Sequence, residues 1–176
     1  MSVEVNRAPH NVTRLDVHTG IAFDTFRKAF EDAAPPFAEA GVTDIAARGG
    51  SWDDVKAAIA AYAPNDLMIF ATIDGIPMMS VAGHRTKAVE YLLGNHVIAE
   101  TMFRHNPLAL LYAPLRILVY SQVSEDGSDQ AVFSLDQPST VFASLEHPEI
   151  SQVGRDLDAK VRNLLKVTGV DTDHWA

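Results

Sequence analysis

Apolar and polar positions along this chain fall into blocks whose period switches between two and about 3.6, which separates strands from helices. Thr13, Leu15 and Val17 alternate with Arg14, Asp16 and His18, so period two predicts a strand over 11–18 with one polar face, broken at Gly20. Phe23, Phe26, Phe30 and Ala33 then recur on one helical face, and Pro35-Pro36 stops that helix. Residues 37–50 read as a connector. Ser51 caps a second helix, Asp53 and Asp54 favour its positive end, and Trp52, Val55, Ile59 and Tyr62 form its buried stripe.

Residues 67–73 are apolar on both faces, which predicts a central, doubly covered strand. Asp74-Gly75 is a tight-hairpin signal leading into a strand over 76–81. A further strand over 88–93 ends at Gly94, and Asn95 caps a short helix over 96–104. After a loop over 105–114, strands over 115–121 and 130–136 form a second hairpin across Glu125-Asp126-Gly127-Ser128. Pro148 then opens a helix with the apolar stripe Ile150, Val153, Leu157, Val161 and Leu164, and Gly169 supplies its C-terminal cap. Strands joined by hairpins predict an α+β fold: a curved antiparallel sheet of five or six strands, with helices including the long C-terminal one packed on one face. The expected organisation is a flexible leader over 1–11, one α+β domain over 12–170 and a tail over 171–176.

Composition narrows the chemistry. The 176 residues are 47% hydrophobic, enough for a core, and include no cysteine, which removes disulfides, thiolate nucleophiles and iron–sulfur clusters. The net charge of −9 with scattered basic residues argues against nucleic acid and against anionic membranes as partners. Residues 1–11 are polar and lack the apolar run of a secretory signal, so a cytoplasmic location is expected.

Candidate chemistry centres on the short helix. His96 and Glu100 share one face at i and i+4, a spacing that suits a metal site if a third group joins them. The positive helix end keeps His96 neutral, the form that ligates metal or haem iron or acts as a base. The plainer reading is an exposed histidine beside a solvated Glu. His105 follows the same helix, where it either caps the last carbonyls or lines a cavity with His96. His84, in a loop after a methionine-containing segment, is the other candidate haem or metal ligand. Asp16 and His18 on the first strand suggest an oriented base, but no Gly-x-Ser-x-Gly motif supplies a nucleophile. Arg116 alternates with inward-facing Leu115 and Ile117, and either pairs with Asp136 across the hairpin or binds a ligand carboxylate.

Three blocks in this order carry a family resemblance: Tyr91-Leu-Leu-Gly-Asn-His-Val-Ile-Ala-Glu-Thr-Met-Phe-Arg-His-Asn-Pro107, Leu111-Tyr-Ala-Pro-Leu-Arg-Ile-Leu-Val-Tyr120 and Phe133-Ser-Leu-Asp-Gln-Pro-Ser139. They resemble the domain of unknown function 302 family, over roughly residues 65–166. The resemblance implies a TATA-binding-protein-like or helix-grip-like α+β fold and a homodimer. It brings no reaction and no catalytic set, and many relatives carry Pro where this chain has His96. Three function classes follow. The first is a dimeric protein that binds a small apolar ligand between sheet and helix, near His96, Met102, His105, Tyr112 and Arg116. The second is an enzyme using haem or a divalent metal on His96 or His84. The third is a scaffold without chemistry.

Overall fold

The computed structural model describes residues 3–123 and 127–173. Five strands, β1 Arg14–Ala22, β2 Met68–Asp74, β3 Ala88–Gly94, β4 Leu115–Val123 and β5 Asp129–Asp136, form one open antiparallel sheet in the order β1-β5-β4-β3-β2. The helices are α1 Phe23–Ala33, α2 Val42–Ala47, α3 Trp52–Tyr62, α4 Ile76–Val81, α5 His96–Phe103, α6 Pro138–Ala143 and α7 Pro148–Val167, with two 3-10 turns at Phe37–Ala40 and Pro107–Leu111. This is the α+β architecture that the hairpin pattern predicts.

Alternation along β3 and β4 decides which sheet face is covered. Val89, Tyr91 and Leu93 with Leu115, Ile117 and Val119 point inward, while Arg116 and Leu118 stay exposed on the other face. The inward residues meet Phe23, Phe26 and Phe30 of α1 and Ile150, Leu157, Val161 and Leu164 of α7. Edge-to-face rings knit this core: Phe30 lies 5.1 Å from Tyr91 and 5.7 Å from Phe133. A polar network borders it. The Tyr91 hydroxyl donates to Glu31 at 2.7 Å, and Arg27 bridges Glu31 at 3.0 Å and Asp74 at 3.1 Å. Burial, then the Glu31 contact, pushes the Tyr91 phenol well above its usual range.

A second, smaller cluster sits beside this core. Val42 and Ile45 of α2, Val55 and Ile59 of α3, and Met68 pack together with Ala40 and Ala63. Ser51 closes a capping box on α3: its hydroxyl accepts from Asp54 N at 3.1 Å, and the Asp54 carboxylate accepts from Ser51 N at 2.8 Å.

Several expectations need correction. Asp74-Gly75 opens helix α4, not a hairpin strand. Gly75 has φ −81°, outside the positive-φ turn that a tight hairpin needs, and Asp74 accepts from Ile76 N at 2.9 Å in an Asx turn. Pro77 then suits a first helical turn and cannot donate to a ladder. β2 is an edge strand. It reads as doubly covered because its start is: Ile69, with Leu67 just ahead of the strand, faces the main core and Met68 the second cluster. Gly20, at φ 69°, lies inside β1, where the register with β5 shifts between His18 and Ala22, so it bends the strand without ending it. The connector 37–50 holds a 3-10 turn and α2, the loop 105–114 holds another 3-10 turn, and α6 follows β5 with Pro138 in its first turn. Trp52 is 41% exposed and leaves the α3 stripe to Val55 and Ile59. Residues 125 and 126 of the expected turn 125–128 lie outside the described residues.

Candidate functional site

At the end of the sheet where β3 stops and β4 starts, α5 and α7 do not close completely. They leave a cavity of about 250 Å³, walled chiefly by Leu93, Ile98, Met102, Leu110, Phe142 and Leu157. Gly94 ends β3, and Asn95 starts α5 by accepting from Val97 N at 2.8 Å and Ile98 N at 3.4 Å. The Asn95 amide donates to Asp66 O at 2.7 Å, and the Asp66 carboxylate meets Lys160 of α7 at 2.7 Å. One side chain thus ties the α5 cap to the start of β2 and onward to α7. The opposite wall is the 3-10 turn and the segment after it, which includes a cis Ala113–Pro114 bond.

Beside the cap, His96 is the titratable residue among the cavity's lining. Its ring lies 4.7 Å from Phe37 and 5.0 Å from Phe70, which themselves stack at 4.4 Å. His96 stays exposed at one side, and partial desolvation beside these rings lowers its pKa from its ordinary value of 6.5, so the neutral imidazole dominates at neutral pH. A neutral imidazole offers one donor and one acceptor without a charge.

The sequence-derived set divides among several places. His96 and Met102 meet in the cavity, and Met102 is 1% exposed. Tyr112 and Arg116 line a neighbouring surface depression together with Asp136, beyond the wall formed by residues 110–115. Tyr112 packs edge-on against Phe142 at 6.1 Å. Arg116 is 77% exposed and its ion-pair partner is Glu90 on β3, at 3.0 Å, in place of the expected Asp136. His105 lies outside the lining, 4.6 Å from the His147 ring at the start of α7. Glu100 turns along its own helix to Arg104, which it holds with two charge-assisted contacts, one of 3.1 Å. His84 is exposed in the loop after α4. Among the described residues, no three His, Asp or Glu side chains group as metal ligands, so the structure does not draw His96, Glu100 and His84 together.

On the open sheet face, Asp16 accepts from the Ser134 hydroxyl at 2.6 Å and from Arg14 at 3.0 Å. The Ser134 bond is the main cause holding the Asp16 carboxyl below its ordinary range. Ser134 therefore serves as a donor to a carboxylate, the opposite of a serine activated by a base.

Sequence reading did not find Leu93, Ile98, Leu110, Phe142 and Leu157 as cavity walls. Leu157 stands in the α7 stripe with residues that are wholly core, and periodicity carries no sign of where two helices part.

Among the described residues, no helix is long and apolar enough to cross a membrane. The family model described as a domain of unknown function, DUF302, matches residues 48–167. The crystal structure of an uncharacterized conserved DUF302 protein from Bacillus stearothermophilus is similar with a TM-score of 0.58, covering 89% of this chain and 97% of that one at 12% identity. At that identity the likeness is one of fold. No curated protein matches the chain.

Proposed function

The chain belongs to the domain of unknown function DUF302 family, and from that premise we propose that it binds a small, neutral, apolar molecule in the cavity between α5, α7 and the end of the sheet. The supporting observation is the lining itself: a concave apolar space whose titratable group, His96, is held neutral by its surroundings. Ligand sites are concave and mostly apolar, with few polar groups that fix orientation. A charged guest would lose its hydration in this cavity without a counter-charge to replace it. A hydroxyl or carbonyl finds a partner in His96. The volume, near the lower end for ligand sites, favours a small molecule or part of a larger one.

The working unit in this reading is a homodimer. Supporting it, α4 buries none of its side chains and exposes Met78, Met79 and Val81, close in sequence to exposed Ile73 at the sheet edge. Exposed apolar patches of this kind mark association surfaces.

Native mass spectrometry of freshly purified protein, with an absorption spectrum from the same sample, tests the reading. The expected result is a dimer carrying an organic molecule that Ala99→Phe, which fills the cavity from a partly exposed wall position, displaces. A Soret band that disappears in His96→Ala would replace this reading with a haem protein. An empty protein that no apolar compound stabilises would leave the scaffold reading.

A further inference from the structure

His96 belongs to two apolar spaces at once. On one side is the cavity; on the other a groove of about 460 Å³ between α2 and α3, lined by Phe37, Val42, Ala46, Trp52 and Val55. The partition between them is aromatic: Phe70 faces the cavity, Phe37 the groove, and the His96 ring lies against both. Among the described residues, neither lining includes an Asp, Glu, Lys or Arg. In the groove, the Ser51 hydroxyl is already engaged with Asp54, and Trp52 presents a large exposed indole.

The His96 side of the partition stands at a helix start. His96 is the first residue of α5. Side chains within a helix are restricted by the turn before them, and the first residue has no such turn. From this we infer that the ligand is an elongated, uncharged aliphatic molecule, with one part in the cavity and the rest running past His96 into the α2–α3 groove. This inference rests on the cavity being the binding site. It adds the ligand class: a chain with a hydroxyl, ketone or ester oxygen for the neutral imidazole, and no ionised head. Among the described residues, an anionic fatty acid finds no cation in either lining.

The test uses the full chain carrying Trp175→Phe, which leaves Trp52 as the one tryptophan. Unbranched primary alcohols from hexanol to tetradecanol are titrated by calorimetry and by Trp52 emission. The expected result is affinity that rises by about fourfold per methylene along the series. Trp52 emission shifts only for the longer members. Ala46→Phe, at an exposed position of the groove, should remove the gain and the shift for the longer alcohols while hexanol binding stays unchanged. Hexanol binding with affinity that levels off, and no Trp52 shift for any chain, would end the ligand at His96 and overturn this inference while the cavity reading stands. The same holds if Ala46→Phe leaves the long-chain gain intact. Failure of every alcohol to bind would overturn both.

Discussion

The two apolar clusters of this protein differ in kind. The main core interlocks large rings: Phe26, Phe30, Phe133 and Tyr91 are all fully buried, and each ring meets at least one other at 5.1–6.3 Å. The second cluster is made of Ala40, Val42, Ile45, Val55, Ile59 and Ala63 under α2 and α3, with Met68 reaching in from β2. One is a close-packed interior shared by a sheet, α1 and the long α7; the other is a thin layer with an exposed tryptophan at its rim. Stability therefore concentrates in the first, and accessible apolar surface in the second. Regions with few buried contacts open at lower free energy than the global fold does.

Substitutions can break or sharpen this contrast. The largest effect is expected from Phe30→Ala, which should cost about 4 kcal/mol and lower the urea midpoint of the whole molecule. Ile59→Ala should cost about 2 kcal/mol. Its signature should be faster amide exchange confined to α2 and α3, with β4 and β5 unchanged; equal acceleration everywhere would show that the two clusters unfold as one. Tyr91→Phe removes the hydroxyl on Glu31 while Arg27 still satisfies the carboxylate, so a loss of about 1 kcal/mol in chemical denaturation is expected.

The smallest effect is a pH dependence at His96. Its folded-state pKa is lowered by burial, so the unfolded chain binds more protons just below the ordinary value of 6.5. The contribution is fully present above pH 6.5 and is lost as the pH falls from there toward the lowered folded value. Thermal melts of His96→Gln should lack this slope. A parent protein whose stability is flat from pH 7 to pH 5 would contradict the neutral imidazole.

Much of the fold was legible in the sequence because buried faces repeat. The α1 phenylalanines, the α7 stripe, the Ser51 and Asn95 caps and the β4–β5 hairpin all follow from local spacing. The misreadings share a cause. Asp74-Gly75 and the apolar run after it fit a hairpin by composition, and only an Asx turn with Pro77 in the next turn of chain makes it a helix. β2 has the apolar run of a central strand because α2 and α3 cover its start, a tertiary fact that no local window contains. The site was less legible. His96 and Met102 stand out as residue types, but the cavity walls are ordinary core residues, and Arg116, which looked like an anchor, faces solvent with Glu90. A cavity is where packing is incomplete, and sequence records the residues rather than the gap.

The link from Asn95 through Asp66 to Lys160 has a consequence for time. It ties the backbone beneath His96 at the helix cap, at the start of β2 and at α7. The frame around the aromatic partition is thus tied by polar contacts, while the His96 ring is held by ring contacts. Rotation of an exposed side chain takes picoseconds to nanoseconds, and breaks none of the backbone hydrogen bonds that amide exchange monitors. A guest crossing the partition would leave the α5 amides silent, so its passage belongs to ring and methyl relaxation at His96, Phe37 and Phe70 rather than to the main chain.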